Sequence, residues 1–157
     1  MTKFKTNNNT KHKDELVKIL QHNLADLVTF KLQVKHAHWN VRGLDFYQVH
    51  VLFDEIAEEL LPLIDMVAEK ITILGGVAHG LVGQVKEETC LTYPEDAVTV
   101  EEHLKALIDS LGKLANQVRE DAEKADELES PTTEDLLIEV ARFLDKKLWF
   151  LEAHIIL

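Results

Sequence analysis

Residues 45–76 read DFYQVHVLFDEIAEELLPLIDMVAEKITILGG. No glycine interrupts this stretch before the terminal pair and it holds one proline, so it predicts a helix from about Asp45 to Leu74 that stops at Gly75-Gly76. Four polar side chains recur on it at i, i+4 spacing: His50 with Asp54, and Asp65 with Glu69. At 100° per residue they fall at about 0°, 40°, 60° and 100° around the axis, on one face. Apolar Val51, Leu52, Leu63 and Val67 surround them. Each pair can present two ligands to a cation.

The flanking sequence supplies the partners for this helix. Upstream, Leu16, Leu20, Leu24, Leu27 and Val34 trace one face of a helix over about Thr10 to Val41. Arg42-Gly43-Leu44 leaves room only for a tight turn, so the two helices should pack antiparallel. Downstream, Thr99-Val100-Glu101-Glu102 reads as a capping box opening a third helix, with Leu104, Leu107, Leu111, Leu114 and Val118 on its apolar face. A fourth begins near Thr132, after Ser130-Pro131, and carries Leu137, Val140, Leu144, Leu148, Leu151 and Ile155. No segment alternates with strand period and no internal repeat is present. The connection from about Gly75 to Val98 is long, and Gly83 to Thr89 suits a short extra helix within it. Four helices with one long middle crossover predict an all-α, ferritin-like bundle rather than the simple up-and-down one; periodicity alone fits either.

The chain has 157 residues and a formal net charge of −11. That length suits one domain, with residues 1–13 expected as a flexible Lys-containing tail and 14–157 as the bundle. No run of 18 apolar residues exists, so no membrane span is expected. The polar start, Met1 to Thr10, lacks a signal-peptide apolar region, and the expected location is cytoplasmic. The single cysteine, Cys90, is taken to exclude a disulfide framework and any Cys-based zinc site, and is read as inert or surface-placed. The acidic balance opposes nucleic-acid binding by the chain as a whole and suits a protein that handles cations.

Distance constrains the ligand pairs further. Asp54 and Asp65 lie roughly 16 Å apart along a helix, so one metal cannot take both pairs of the same chain. Two copies of the helix, antiparallel across a two-fold axis, bring His50 and Asp54 of one beside Asp65 and Glu69 of the other, twice by symmetry. With His38 from the preceding helix, the expected ligand set is His38, His50, Asp54, Asp65 and Glu69, shared between subunits. Imidazole with carboxylate suits iron, and anionic oxygen favours Fe(III) over Fe(II); Zn and Mn fit the same donors. His22 and Asp26 share the i, i+4 spacing. His22 lies about 160° around the first helix from His38, so that pair is read as solvated.

His36-Ala37-His38-Trp39-Asn40-Val41-Arg42-Gly43 resembles the signature of the Dps family, the mini-ferritins or DNA-protection-during-starvation proteins. The resemblance continues through Val49-His50, Phe53-Asp54-Glu55, Asp65 to Lys70, Leu74 to Ala78, and Asp145 to Leu151, and covers about Leu16 to His154. It implies a hollow homododecamer that oxidises Fe(II), preferably with hydrogen peroxide and otherwise with oxygen, and stores the ferric product, with His38, His50 and Asp54 of one chain and Asp65 and Glu69 of its two-fold partner as the ferroxidase residues. Trp39 resembles the family tryptophan near the iron centre; a packing role and radical quenching are both open to it. Two departures stand out. Pro62 lies between the ligand pairs and is expected to kink the helix. Lys70 replaces the usual arginine and loses bidentate geometry.

Three alternatives remain at this stage. Larger ferritins use Glu-x-x-His pairs within one bundle, and no Glu here has a His three residues later. The first 13 residues hold Lys3, Lys5, Lys11 and Lys13 and no acid, so a cationic tail, with Asn7-Asn8-Asn9 suited to disorder, could hold DNA phosphates without sequence preference and place the shell at the nucleoid. The third is a non-enzymatic, zinc-stabilised shell. The acids Glu120, Asp121, Glu123, Asp126, Glu127 and Glu129 read first as a solvated face. In the family the three-fold channel is acidic, which makes Glu120 and Asp109 candidates to line a pore. His12, His79, His103 and His154 have no evident partner, and His36, about 200° from His38, should not share its metal.

Overall fold

The computed structural model describes residues 1–7 and 9–155; Asn8, in the middle of the asparagine run, lies outside them. Among the described residues the chain forms a short 3-10 turn at Lys5–Asn7 and five α-helices. These are α1 (Lys13–Asn40), α2 (Phe46–Ile73), α3 (Val82–Glu88), α4 (Val100–Glu127) and α5 (Pro131–Glu152). No helix among the described residues is long and apolar enough to cross a membrane.

The apolar periodicities become the core. Leu16, Leu20, Leu24, Leu27 and Val34 of α1 are buried, as are Leu104, Leu107, Leu111, Leu114 and Val118 of α4. Phe30 of α1 and Phe53 of α2 are the largest fully buried side chains among the described residues. Each such residue contributes roughly 1.5–3 kcal/mol by leaving water. On α5 the expected face shifts slightly. Leu137, Val140, Leu144 and Leu151 are buried, Leu148 and Ile155 are only partly so, and Lys147 is 2% exposed. Lys147 pairs with Glu59 Oε2 on α2 at 2.8 Å and lays its stem and charge against Phe143 and Phe150. The buried ammonium is thus neutralised across the bundle, which makes burial at this position tolerable.

Helices α1 and α2 form one hairpin and α4 and α5 the other, with α1 packed on α4 and α2 on α5. Gly43, at φ 120°, makes the tight turn between α1 and α2 in a conformation that disfavours other residues. The long crossover contains α3 as expected, and returns beside that turn. There Arg42 N–H donates to the Val98 carbonyl at 2.9 Å and Val100 N–H to the Arg42 carbonyl at 3.2 Å. At the other end Gly76 lies so close to α1 that an added Cβ would meet the Val17 side chain at 3.0 Å.

The capping box is present. Thr99 Oγ1 accepts from Glu102 N–H at 3.2 Å, and Glu102 Oε2 accepts from the N–H groups of Thr99 (2.9 Å) and Val98 (3.0 Å). Helix α2 runs through Pro62 as one element. Pro62 and Glu58, whose carbonyl loses its helical partner, are both exposed, so water can satisfy that carbonyl.

The N-terminal segment makes contacts with the bundle. Thr2 N–H donates to the Gly75 carbonyl at 2.9 Å, and Lys11 pairs with Glu129. Lys13 is the first residue of α1.

The cap generates a stability prediction. Thr99→Ala is expected to lower Tm by roughly 2–4 °C, equivalent to about 1 kcal/mol. The backbone donors hold Glu102 down to about 2, so its contribution is present above the ordinary carboxylate range and is lost as pH falls toward 2. The difference between Glu102→Gln and the parent protein, read by thermal melts, should therefore shrink at low pH.

Candidate metal centre

His38, near the end of α1, and His50, in the first turns of α2, face each other across the α1–α2 turn. His38 Nδ1 lies 2.8 Å from the His50 carbonyl, and His50 Nδ1 lies 2.8 Å from the His38 carbonyl. A carbonyl only accepts, so both Nδ1 atoms donate and, in the neutral rings, both Nε2 atoms keep their lone pairs. The rings stack with centroids 3.7 Å apart and planes 19° apart, and Phe46 packs against His50. Backbone carbonyls of this kind fix the tautomer and orientation of a metal-binding histidine.

Asp54, one turn beyond His50, is the third member. Its Oδ1 lies 3.9 Å from His38 Nε2 and accepts from Lys35 Nζ at 2.5 Å. That hydrogen bond holds the Asp54 carboxyl below its ordinary range. Lys35 was not anticipated from the sequence, although its place three residues before His38 puts it on the same face of α1. Its ammonium keeps Asp54 ionised, and must yield if a cation is to use Oδ1.

Asp65 and Glu69 are exposed further along the same face of α2 and do not join this group within the protomer. The arc between the two pairs is also partly apolar. Leu61 is 47% exposed and sits about 20° from His50 around the helix. Leu32 and Trp39, on the facing side of α1, are 57% and 68% exposed, and with Val28, Ile64 and Asp54 they line an open groove between α1 and α2. Trp39 is therefore a surface aromatic beside Lys35, not a core residue. Glu120 and Asp109 are exposed on α4. Lys70 donates to Thr132 Oγ1 at 2.7 Å and pairs with no carboxylate among the described residues.

Three expectations require correction. The His22–Asp26 pair is not solvated: Asp26 is fully buried and accepts from Thr89 and Cys90. Thr89 and Cys90 lie more than 60 residues away, so helix periodicity carried no sign of them. Asp121 is likewise buried, accepting from Asn23 (2.8 Å), Gln117 (3.1 Å) and Lys124 (3.0 Å), so it is not part of a solvated acidic face. His103 does have a partner: it is sealed in the core with Nδ1 2.6 Å from the Tyr93 hydroxyl, and burial lowers its basicity. His36 packs edge-on to both of those rings, away from His38 as expected.

Residues 17–156 match the ferritin-like domain family. The DNA protection during starvation protein of Agrobacterium fabrum is 40% identical over 91% of this chain and 89% of its own length. The chain belongs to the Dps family. DpsC from Streptomyces coelicolor superposes with a TM-score of 0.88 at 34% identity, covering 92% of this chain and 85% of its own. The Dps protein of Vibrio cholerae O1, described as a member of the ferritin-like diiron-carboxylate superfamily, superposes with a TM-score of 0.85 at 26% identity over 90% of this chain and 89% of its own. For this Dps chain the all-α bundle gathers His38, His50 and Asp54 at one end of the α1–α2 hairpin.

Because Lys35 competes for Asp54, Lys35→Met is expected to bind Fe(II) about two- to fivefold more tightly in an anaerobic titration near neutral pH, the scale of one partly exposed ion pair. Weaker binding would assign Lys35 a supporting role instead.

Proposed function

We propose that this protein is a ferroxidase and iron store whose catalytic centres form between two-fold related subunits of a dodecameric shell. The observation that carries this reading is the incomplete ligand set. His38, His50 and Asp54 gather on a face bordered by exposed Leu32, Trp39 and Leu61, while Asp65 and Glu69 stand unassembled roughly 16 Å along the same helix. An antiparallel copy of α2 laid on that face covers the apolar groove and supplies the missing carboxylates. The name of the Vibrio cholerae relative, a diiron-carboxylate protein, supports iron as the substrate.

In this reading, the imidazole Nε2 atoms and Asp54 take Fe(II) from one side and the partner's Asp65 and Glu69 from the other. Anionic oxygen stabilises the ferric product more than the ferrous substrate, which lowers the barrier to losing an electron. With hydrogen peroxide as oxidant, two ferrous ions supply two electrons; with two protons, the peroxide leaves as water. Consuming both reagents together protects the cell against hydroxyl-radical chemistry. Exposed acids such as Glu120 and Asp109 would draw cations toward a pore. Zn or Mn would compete at the same donors, and a zinc-filled shell without turnover is the outcome that oxidation kinetics distinguishes.

A second reading, DNA binding by the tail, is favoured by the name of the Agrobacterium relative and by the lysines before α1. Lys11 is already paired with Glu129, which leaves fewer charges for phosphates. A low-salt gel shift should show retention that disappears on deleting residues 1–13; no retention, or retention unchanged by the deletion, removes this reading.

The shared centre is tested by subunit mixing. Asp54→Ala and Glu69→Ala each break both sites of a dimer, but a mixed dimer keeps one site whole. Peroxide-driven oxidation in the hybrid should exceed both parents several-fold. Complete loss in the hybrid contradicts sharing, and equal rates for His50→Ala and wild type contradict the assigned centre.

A further inference from the structure

A second convergence of ligand-type side chains lies away from that centre. His22 and Asp26 of α1 and Cys90, just past the end of α3, place one nitrogen, one oxygen and one sulfur within 4.8 Å of one another, a grouping that no other three His, Cys, Asp or Glu side chains achieve among the described residues. Asp26 is the fixed point. It is 0% exposed, and its Oδ1 accepts from the Thr89 hydroxyl at 2.6 Å and the Cys90 N–H at 3.0 Å. Its Oδ2 looks into the cluster, 3.2 Å from the Cys90 thiol and 3.5 Å from His22 Nε2.

The orientation of His22 makes this arrangement informative. Its Nδ1 is 3.2 Å from the Glu88 carbonyl, which only accepts, so Nδ1 carries a proton. In the neutral ring the lone pair of Nε2 then points at a carboxylate oxygen, acceptor against acceptor, beside a buried negative charge. A cation between them resolves both. The supporting contacts are those that orient metal ligands generally: a carbonyl behind the imidazole, and a hydroxyl and an amide behind the carboxylate. Cys90 is exposed, which gives an ion access from solvent.

We propose that His22, Asp26 and Cys90 form a second metal site, which takes a divalent ion of borderline softness such as Zn(II) and fastens the α3–α4 connection to α1. One thiolate, one imidazole and one carboxylate leave a fourth tetrahedral position for water. Binding forms the three protein–metal bonds and releases the thiol proton to solvent. Burial and the neighbouring Asp26 raise the Cys90 thiol's hold on that proton, and the charge of the ion reverses this.

The test uses the full-length protein, stripped of metal and titrated with Co(II) as a spectroscopic stand-in for Zn(II). The expected result is a thiolate-to-cobalt absorption in the near ultraviolet, saturating at one ion per chain, displaced by Zn(II), retained in His50→Ala and lost in Cys90→Ser. His22→Gln should weaken binding tenfold or more. In parallel, Zn(II) should slow alkylation of Cys90 in the wild-type protein at least tenfold, a readout that needs no variant to fold. Absence of the thiolate absorption at saturating Co(II), its survival unchanged in His22→Gln, or alkylation indifferent to Zn(II) overturns the proposal.

Discussion

The reciprocal hydrogen bonds between His38 and His50 are the constraint on which the proposed chemistry rests. Each imidazole donates Nδ1–H to the other's backbone carbonyl, so the end of α1 and the start of α2 are tied by the same groups that would serve the metal. Two ring orientations, two tautomers and the spacing of two helices are fixed together. The Arg42–Val98 and Val100–Arg42 bonds brace the turn beside it, and Gly43 lets the chain reverse in so few residues. A donor pair held this way loses little conformational freedom when an ion arrives.

Electrostatics complete the half-site. Asp54, although partly exposed, accepts from the Lys35 ammonium, which holds its carboxyl below the usual carboxylate range. In the proposed reading Lys35 would occupy the place of the cation in the isolated protomer. The exposed apolar groove and the exposed Asp65 and Glu69 belong to the same picture: a face incomplete both in packing and in coordination. In the proposed arrangement a second copy would meet both deficits with one contact, burying Leu32, Trp39 and Leu61 and bringing the carboxylates with it.

Much of the fold was legible because helices are written locally. The apolar steps through Leu16 to Val34 and Leu104 to Val118, the Thr99–Glu102 capping box and the glycine stops at Gly43 and Gly75 are short-range signals, and the structure follows them to within a few residues. The half-site was legible in part: His50 and Asp54 share a helix face, but the contacts of Lys35 with Asp54 and of His38 with His50 cross between helices. Several of the features that periodicity missed depend on contacts between elements. Asp26 is buried by Thr89 and Cys90, Asp121 by Asn23, and Lys147 by Glu59, and in each case a charge enters the core because a remote partner satisfies it. Reading charge as solvated is correct until such a partner exists. The cysteine shows the same limit. Counted alone it excludes a disulfide, but beside His22 and Asp26 it becomes one of three donors.

The most direct measurement is anomalous diffraction at the iron edge from crystals of the assembled protein loaded anaerobically with Fe(II). Iron is expected within coordination distance of His38, His50 and Asp54 of one subunit and of Asp65 and Glu69 of the partner subunit, at every two-fold interface. Iron bound wholly within one chain, or two-fold interfaces that leave Asp65 and Glu69 in solvent, would contradict it.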